Sequence, residues 1–259
     1  MNKIHPTAVI SKDVRLGDEV EVGPYTVIEG EVQIGDGCYI GPHVVIKGPT
    51  RIGNFCRIYQ FASVGEIPQD LKFKGERTEL IIGDRNVIRE YVTINRGTAG
   101  GGGKTVIGDG NFLMSYVHVA HDCIIGNCNI LANVATLAGH VTIEEFSIIG
   151  ALSAVHQFTR IGSYAFISGM TGVPQDIPPY VKASGNRSKL FGLNTIGLKR
   201  HNFSDETIFA LKKAYRIIFR SKLRLAVGIE KIEGDPIWEV PEVRKFVDFI
   251  KTSKRGICR

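Results

Sequence analysis

An aliphatic residue returns at every sixth position of this chain. The series runs from Ile4 through Ile10, Leu16 and Val22 to Val64, returns at Ile82, Ile88 and Ile94, then holds unbroken from Ile107 to Val173. An amphipathic helix repeats every ~3.6 residues and a half-buried strand every ~2, so neither produces this pattern. Of these 26 aliphatic positions, 11 are followed by glycine, which makes glycine a regular feature of the repeat rather than an accident. Four residues after the aliphatic one, a small or β-branched side chain recurs, as at Val20, Thr26, Val32, Cys38 and Val44. Hexapeptide repeats are the mark of a parallel β-helix. Each forms one short flat strand and a corner, and three complete a triangular turn. The aliphatic residue points inward and stacks on its equivalents ~4.8 Å away. Glycine at the corners is expected to supply positive φ.

The interruptions are informative too. Residues 67–81 hold a polar, charged loop, and residues 99–106 hold a glycine-rich one, after which the phase slips by one residue. Corner insertions of this kind often carry function. From about Leu190 the period is lost. FSDETIFALKKAYRIIFRSK reads as a helix with Ser204 as N-cap, and PEVRKFVDFIKTS as another with Pro241 in its first turn. The expected fold is mainly β: a left-handed parallel β-helix over residues 1–189, its hand being that of the hexapeptide class, then a basic α-helical domain over 190–259.

Charge also divides the chain, close to that boundary. Residues 1–179 hold 14 Lys+Arg against 18 Asp+Glu, whereas residues 180–259 hold 18 against 8. The second part should therefore face an acidic partner. Nucleic acid, an acidic protein and a phosphorylated substrate all satisfy that condition. MNKIHPTAVI has no apolar leader core, and no apolar run approaches the ~20 residues that span a bilayer. A soluble cytoplasmic protein is expected, and the five cysteines, without paired spacing, suit a reducing compartment. Cys38 and Cys56 should stack one turn apart as buried thiols.

Candidate chemistry narrows quickly. GTAGGGGKT at 97–105 looks like a phosphate loop, but a Walker A motif would need glycine where Thr98 stands, and a hexapeptide follows in place of a long helix. It is expected to be a flexible corner. The histidines group differently. Adding 18 residues per turn puts His140 over Asp122, Gly139 beside His121, and Gln157 over Gly139, with His156 adjacent. Four of the seven histidines, at 118, 121, 140 and 156, thus project onto one region. Three histidines can bind zinc, as in hexapeptide carbonic anhydrases, but those place two ligands five residues apart and this pair is three apart. General-base chemistry fits better. An imidazole would deprotonate an attacking hydroxyl, Asp122 would orient it, and the unobstructed Gly139 N–H would receive the oxyanion. No cofactor or metal is expected. A silent scaffold that binds partners through its basic helices is the alternative outside enzymology.

Longer motifs then carry a resemblance that spans the chain: IYQFASVGEIPQDLK, AHDCIIGN, LAGHVTI, AVHQF, PPYVKASGN and GLNTIGLKR. The sequence is similar to the UDP-N-acetylglucosamine O-acyltransferase family of lipid A biosynthesis. That resemblance implies transfer of an (R)-3-hydroxyacyl group from acyl carrier protein to the glucosamine 3-hydroxyl of UDP-N-acetylglucosamine, in the intersubunit clefts of a homotrimer. His121 would be the base, Asp122 its partner and Gly139 the oxyanion donor. Gln69, Asp70 and Lys72 would contact the sugar nucleotide or acyl donor, His118, His140, His156 and Gln157 would line the cleft, and Asn194 and Arg200 would meet the uridine-diphosphate end. Where relatives often carry a second arginine, this chain has His201. Gly169, with Met170 beside it, would leave the acyl groove open for a long chain. A 3-amino sugar nucleotide is the alternative acceptor. The acidic carrier protein would suit Lys199, Arg200, Lys212, Lys213, Arg216 and Arg220.

Overall fold

The period of six becomes strands of mostly two or three residues joined by corners, each strand hydrogen-bonded to its equivalents one turn away. The computed structural model describes all 259 residues. Three sheets form the faces of a prism, in the left-handed parallel β-helix class. The first has eleven strands, from Lys3–Ile4 to Lys189–Leu193. The second has nine, from Val9–Ile10 to Gly172–Val173, and the third eight, from Arg15–Leu16 to Arg160–Ile161. Register is kept turn after turn: His118 pairs with Thr136 and Thr136 with Ala154. The inward neighbours Val119, Leu137 and Val155 are buried. Each such side chain contributes ~1.5–3 kcal/mol by leaving water. Cys38 and Cys56 stack as expected, the Cys56 N–H donating to Cys38 Sγ at 3.4 Å and each thiol to a glycine carbonyl at 3.1 Å.

Glycine does not do at these corners what the repeat suggested. The positive φ falls on the third residue after the aliphatic one, and that residue is usually not glycine: Tyr25, Phe61, Asp122 and His140 have φ of 57°, 63°, 60° and 61°. This conformation disfavours L-residues by roughly 1–2 kcal/mol, so the stacked hydrogen bonds of the prism impose it. The glycine directly after the aliphatic residue serves close approach between turns. A Cβ on Gly150 would stand 2.4 Å from the Gly169 nitrogen.

Both insertions leave the corner between the second and third faces. One joins Ser63–Glu66 to Glu79–Ile82, and the next joins Thr93–Asn95 to Lys104–Ile107. The glycine-rich loop is thus shorter than its sequence suggested, since residues 104–106 are already strand. The following turn carries His121, so both loops overhang it.

The first sheet continues beyond Leu190, its last strand running antiparallel to Val181–Ser184. Helices α1 (Thr195–Arg200), α2 (Asp205–Phe219), α3 (Leu225–Glu233) and α4 (Pro241–Lys251) follow. Ser204 caps α2 by accepting the Thr207 N–H, and Pro241 opens α4. The short helices α1 and α3 were not legible in the sequence. Helix α2 buries Leu211, Ala214, Tyr215 and Ile218. No helix is long and apolar enough to cross a membrane.

One edge remains conspicuously apolar. At the corner between the first and second faces, Tyr25, His43, Phe61, Tyr91 and Tyr116 stack ring on ring with centroids 4.7–5.2 Å apart. Val134, Leu152 and Met170 extend the exposed ridge.

Candidate active site

His121 and Asp122 occupy the corner after the second-face strand His118–Val119. The αL backbone at Asp122 turns its carboxylate back under the glycine-rich loop. His121 Nδ1 lies 2.8 Å from Asp122 Oδ2. The same carboxylate accepts the Thr98 hydroxyl at 2.6 Å and the Thr98 N–H at 2.9 Å. The Asp122 N–H donates to Thr105 Oγ1 at 2.8 Å. A carboxylate only accepts, so the imidazole proton belongs on Nδ1 and the Nε2 lone pair is left free. That is the tautomer a general base needs.

The loop at 97–105 is therefore not a free corner. Thr98 is buried, and Gly101 lies so close that a Cβ would stand 2.0 Å from Asp122 Cγ. The glycines let backbone close over a carboxylate of this chain rather than over a phosphate. Thr98 and Gly101, which hold Asp122 from the insertion, were not revealed by spacing because the repeat is broken there, and Thr105 holds it from the strand that follows.

One turn along, Gly139 presses on the imidazole. A Cβ there would stand 2.6 Å from His121 Cε1 and 2.8 Å from Nε2. Its N–H donates to nothing within the chain. At the corner between the third and first faces the equivalent amides are capped by the next turn, Asp18 by Asp36 at 2.8 Å and Asp109 by Asn127 at 2.7 Å. The edge beside His121 lacks that ladder, so the Gly139 N–H is left without a partner in the chain.

Two further imidazoles flank it. His140 Nε2 lies 3.7 Å from Asp122 Oδ2, and its ring meets that of His121 edge-on and stacks on Phe158. Burial lowers its pKa, against the opposing pull of Asp122 and, more weakly, of Asp70. His118 donates to or accepts from Thr93 Oγ1 at 2.7 Å, and burial followed by the nearby His121 lowers its pKa. His121, Asp122 and His140 bring potential ligand atoms within 4.8 Å of one another. Both oxygens of Asp122 are nonetheless engaged by Thr98 and His121.

Known proteins share the fold that carries this edge. Hexapeptide-repeat models of bacterial transferases match residues 31–66 and 104–139, and the second-domain model of UDP-N-acetylglucosamine O-acyltransferase matches residues 176–258. An acyl-[acyl-carrier-protein]–UDP-N-acetylglucosamine O-acyltransferase from Thermodesulfovibrio yellowstonii is 55% identical over the full length of both chains. The chain belongs to the UDP-N-acetylglucosamine O-acyltransferase family. The family member from Moraxella catarrhalis superimposes with a TM-score of 0.95 at 44% identity, covering 99% of each chain. That from Bacteroides fragilis gives 0.97 at 44%, covering 99% of this chain and 100% of its own.

In this acyltransferase fold the expected residues divide into groups. His118, His121, Asp122, Gly139 and His140 share one edge, with His156 and Gln157 on its next turn. Gln69 and Lys72 are exposed on the overhanging loop, where the Lys72 N–H bonds Asp70 Oδ1 at 2.9 Å. Gly169 and Met170 lie on the apolar ridge instead, between the first and second faces. Asn194 and Arg200 line a separate groove of about 300 Å³. The Asn194 amide caps α1 through the Gly197 N–H at 3.2 Å and donates to the Tyr164 carbonyl at 3.0 Å, so it shapes that groove from below. His201 packs edge-on against Phe146 and Tyr164. One chain alone does not bring the last two groups to His121.

Proposed function

We propose that the chain transfers an (R)-3-hydroxyacyl group from acyl carrier protein to the 3-hydroxyl of UDP-N-acetylglucosamine, the reaction that opens lipid A biosynthesis. The observation that carries this reading is the contact between His121 Nδ1 and Asp122, with Nε2 free and Gly139 against it. His121 Nε2 takes the proton from the sugar hydroxyl as its oxygen attacks the thioester carbonyl. The Gly139 N–H receives the oxyanion of the tetrahedral intermediate. Collapse breaks the C–S bond, and the departing carrier thiolate takes the proton from His121. Thr98 keeps Asp122 aligned throughout. His118 and His140, both disposed to remain neutral, leave His121 as the proton acceptor.

The site is completed by neighbours in a homotrimer. The stacked ridge through Phe61, Tyr91 and Tyr116 is an exposed, largely apolar edge of the kind that marks an interaction surface, and it runs on into Gly169 and Met170. Covering it with another chain's edge would bring the acyl groove to His121. Gly169, exposed and lacking a side chain, leaves that groove long. The carrier protein docks on the basic helices. Lys199 and Lys213 are paired with Asp205 and Asp235, whereas Lys212 and Arg216, one turn apart on α2, are exposed with no carboxylate partner.

The experiment is acyl transfer from a panel of 3-hydroxyacyl carrier proteins, comparing the wild type with His121→Ala. Loss of turnover in a folded trimer supports both reaction and base. Equal turnover by the two proteins would overturn the assignment, and activity only on a 3-amino sugar nucleotide would move the acceptor.

A further inference from the structure

A groove of about 700 Å³ opens beside His140, and its far wall is the C-terminal tail. The tail is held there by Asp176, which is 1% exposed. Asp176 Oδ2 accepts the Ser253 hydroxyl at 2.7 Å and Oδ1 accepts the Arg160 N–H at 2.8 Å. Its backbone N–H donates to the Gly256 carbonyl, and its carbonyl accepts the Cys258 N–H, both at 2.9 Å. Arg160 adds a hydrogen bond to Thr252 Oγ1 at 3.1 Å, with its guanidinium 4.3 Å above Phe249.

This latch delivers Arg255 to the catalytic edge. Its Nη2 lies 2.7 Å from His156 Nδ1, across 99 residues of sequence. Arginine only donates, so in this contact Nδ1 accepts; the same nitrogen lies 3.1 Å from the Gln157 carbonyl oxygen, which also only accepts, so the two contacts call for opposite tautomers and the shorter one is to Arg255. Arg160, Lys254 and Arg255 then line the groove, and Lys254 and Arg255 are exposed with no carboxylate in ion-pair range. The one carboxylate of the lining, Asp176, is turned to the tail. A groove of this size, cationic on one wall and bounded by His140, suits a phosphate ester attached to something that reaches His121.

We propose that this groove binds the phosphate groups of a substrate, with Arg255 as the direct ligand and Asp176 as the residue that positions it. The proposal rests on the acyl-transfer reading. Either the diphosphate of the sugar nucleotide or the phosphodiester in the carrier protein's thiol arm has the required chemistry.

The test measures kcat and both KM values for the wild type, Arg255→Gln, Arg255→Lys, Lys254→Gln/Arg255→Gln and Asp176→Asn. It also titrates inorganic pyrophosphate into wild type and the double variant by calorimetry. Arg255→Gln should raise one KM tenfold or more, with kcat and the other KM held within threefold, and Arg255→Lys should recover most of the loss. A rise for UDP-N-acetylglucosamine assigns the groove to the diphosphate, and a rise for the acyl carrier protein assigns it to the thiol arm. Asp176→Asn should move the same KM, whereas a merely structural role would lower thermal stability without that selectivity. If the wild type turns over and neither KM of the double variant moves twofold, the proposal fails. If the wild type does not turn over, the acyl-transfer reading fails instead, and the groove is judged by whether pyrophosphate binds the wild type and not the double variant.

Discussion

Gly139 and His121 touch so closely that the smallest side chain at 139 would displace the imidazole: a Cβ would stand 2.6 Å from Cε1. Gly139→Ala keeps the backbone N–H, but the added methyl should push the base out of line with that donor and so cost turnover. Losing one such donor alone lowers kcat by ~10²–10³. We expect a loss of that order, with a melting temperature lowered by a few degrees because Gly139 is buried against the imidazole. Turnover within threefold of wild type would show that the ring can move aside at no cost.

Asp122 sets the His121 tautomer, and Thr98 sets Asp122. Asp122→Asn presents an amide that can donate to Nδ1 and so pull the proton to Nε2. A comparable substitution in a catalytic triad lowers kcat by ~10⁴, and a fall of that order is expected. Thr98→Val removes only the 2.6 Å hydroxyl contact and leaves the backbone donor. Its effect should be smaller, about tenfold, and confined to kcat. An unchanged kcat in Thr98→Val would mean that the Thr98 N–H alone holds the carboxylate.

The different origins of these residues explain what could be read beforehand. His121, Asp122, Gly139 and His140 lie in an uninterrupted repeat, where adding one turn to a residue number predicts its neighbour. Thr98 and Gly101 lie in an insertion, where that arithmetic stops, and their loop looked merely flexible. Arg255 reaches His156 through a tail whose path depends on Asp176, which no local pattern announces. The corner glycines were recognised for the wrong reason, since the repeat shows where glycine recurs but not whether φ or interturn contact demands it. Helices α1 and α3 are too short for an apolar periodicity to stand out.

Burial, with His121 nearby, lowers the pKa of His118 from 6.5, and burial does the same to His140. In the unfolded chain these rings gain protons as pH falls through about 6.5, while the folded chain still excludes them. The unfolded state then binds more protons, so stability falls with falling pH. It is complete above about pH 6.5 and is lost progressively below that value. Thermal melting across pH 7.5 to 5 should show the decline, and His118→Gln should flatten it. A slope unchanged by that substitution would remove His118 from the account.

Lys212 and Arg216 stand exposed on α2 without acidic partners, so their charge is available to an approaching carrier protein. Steering between opposite charges acts on association and is weakened by salt. Lys212→Glu/Arg216→Glu should raise KM for the acyl carrier protein tenfold or more at low ionic strength and leave KM for the sugar nucleotide unchanged. The difference from wild type should shrink as salt is added. Equal KM shifts for both substrates would point to a distorted helix rather than a docking surface.

Phe61, Tyr91 and Tyr116 face solvent in the single chain, and Gly169 and Met170 lie on the same ridge rather than beside His121. If neighbouring chains cover that ridge, breaking the contact must abolish transfer even though every residue touching His121 is intact. Tyr91→Glu/Tyr116→Glu places two carboxylates in the stack, where their desolvation on assembly is strongly unfavourable. Light scattering should report a monomer in place of a trimer, and circular dichroism should report an unchanged prism, because both side chains point out of the core. Acyl transfer should fall below detection at substrate concentrations that saturate the wild type. A folded monomer that retains turnover would mean that one chain holds the entire site, and would place the acyl groove along the His121 edge instead of the Gly169 ridge.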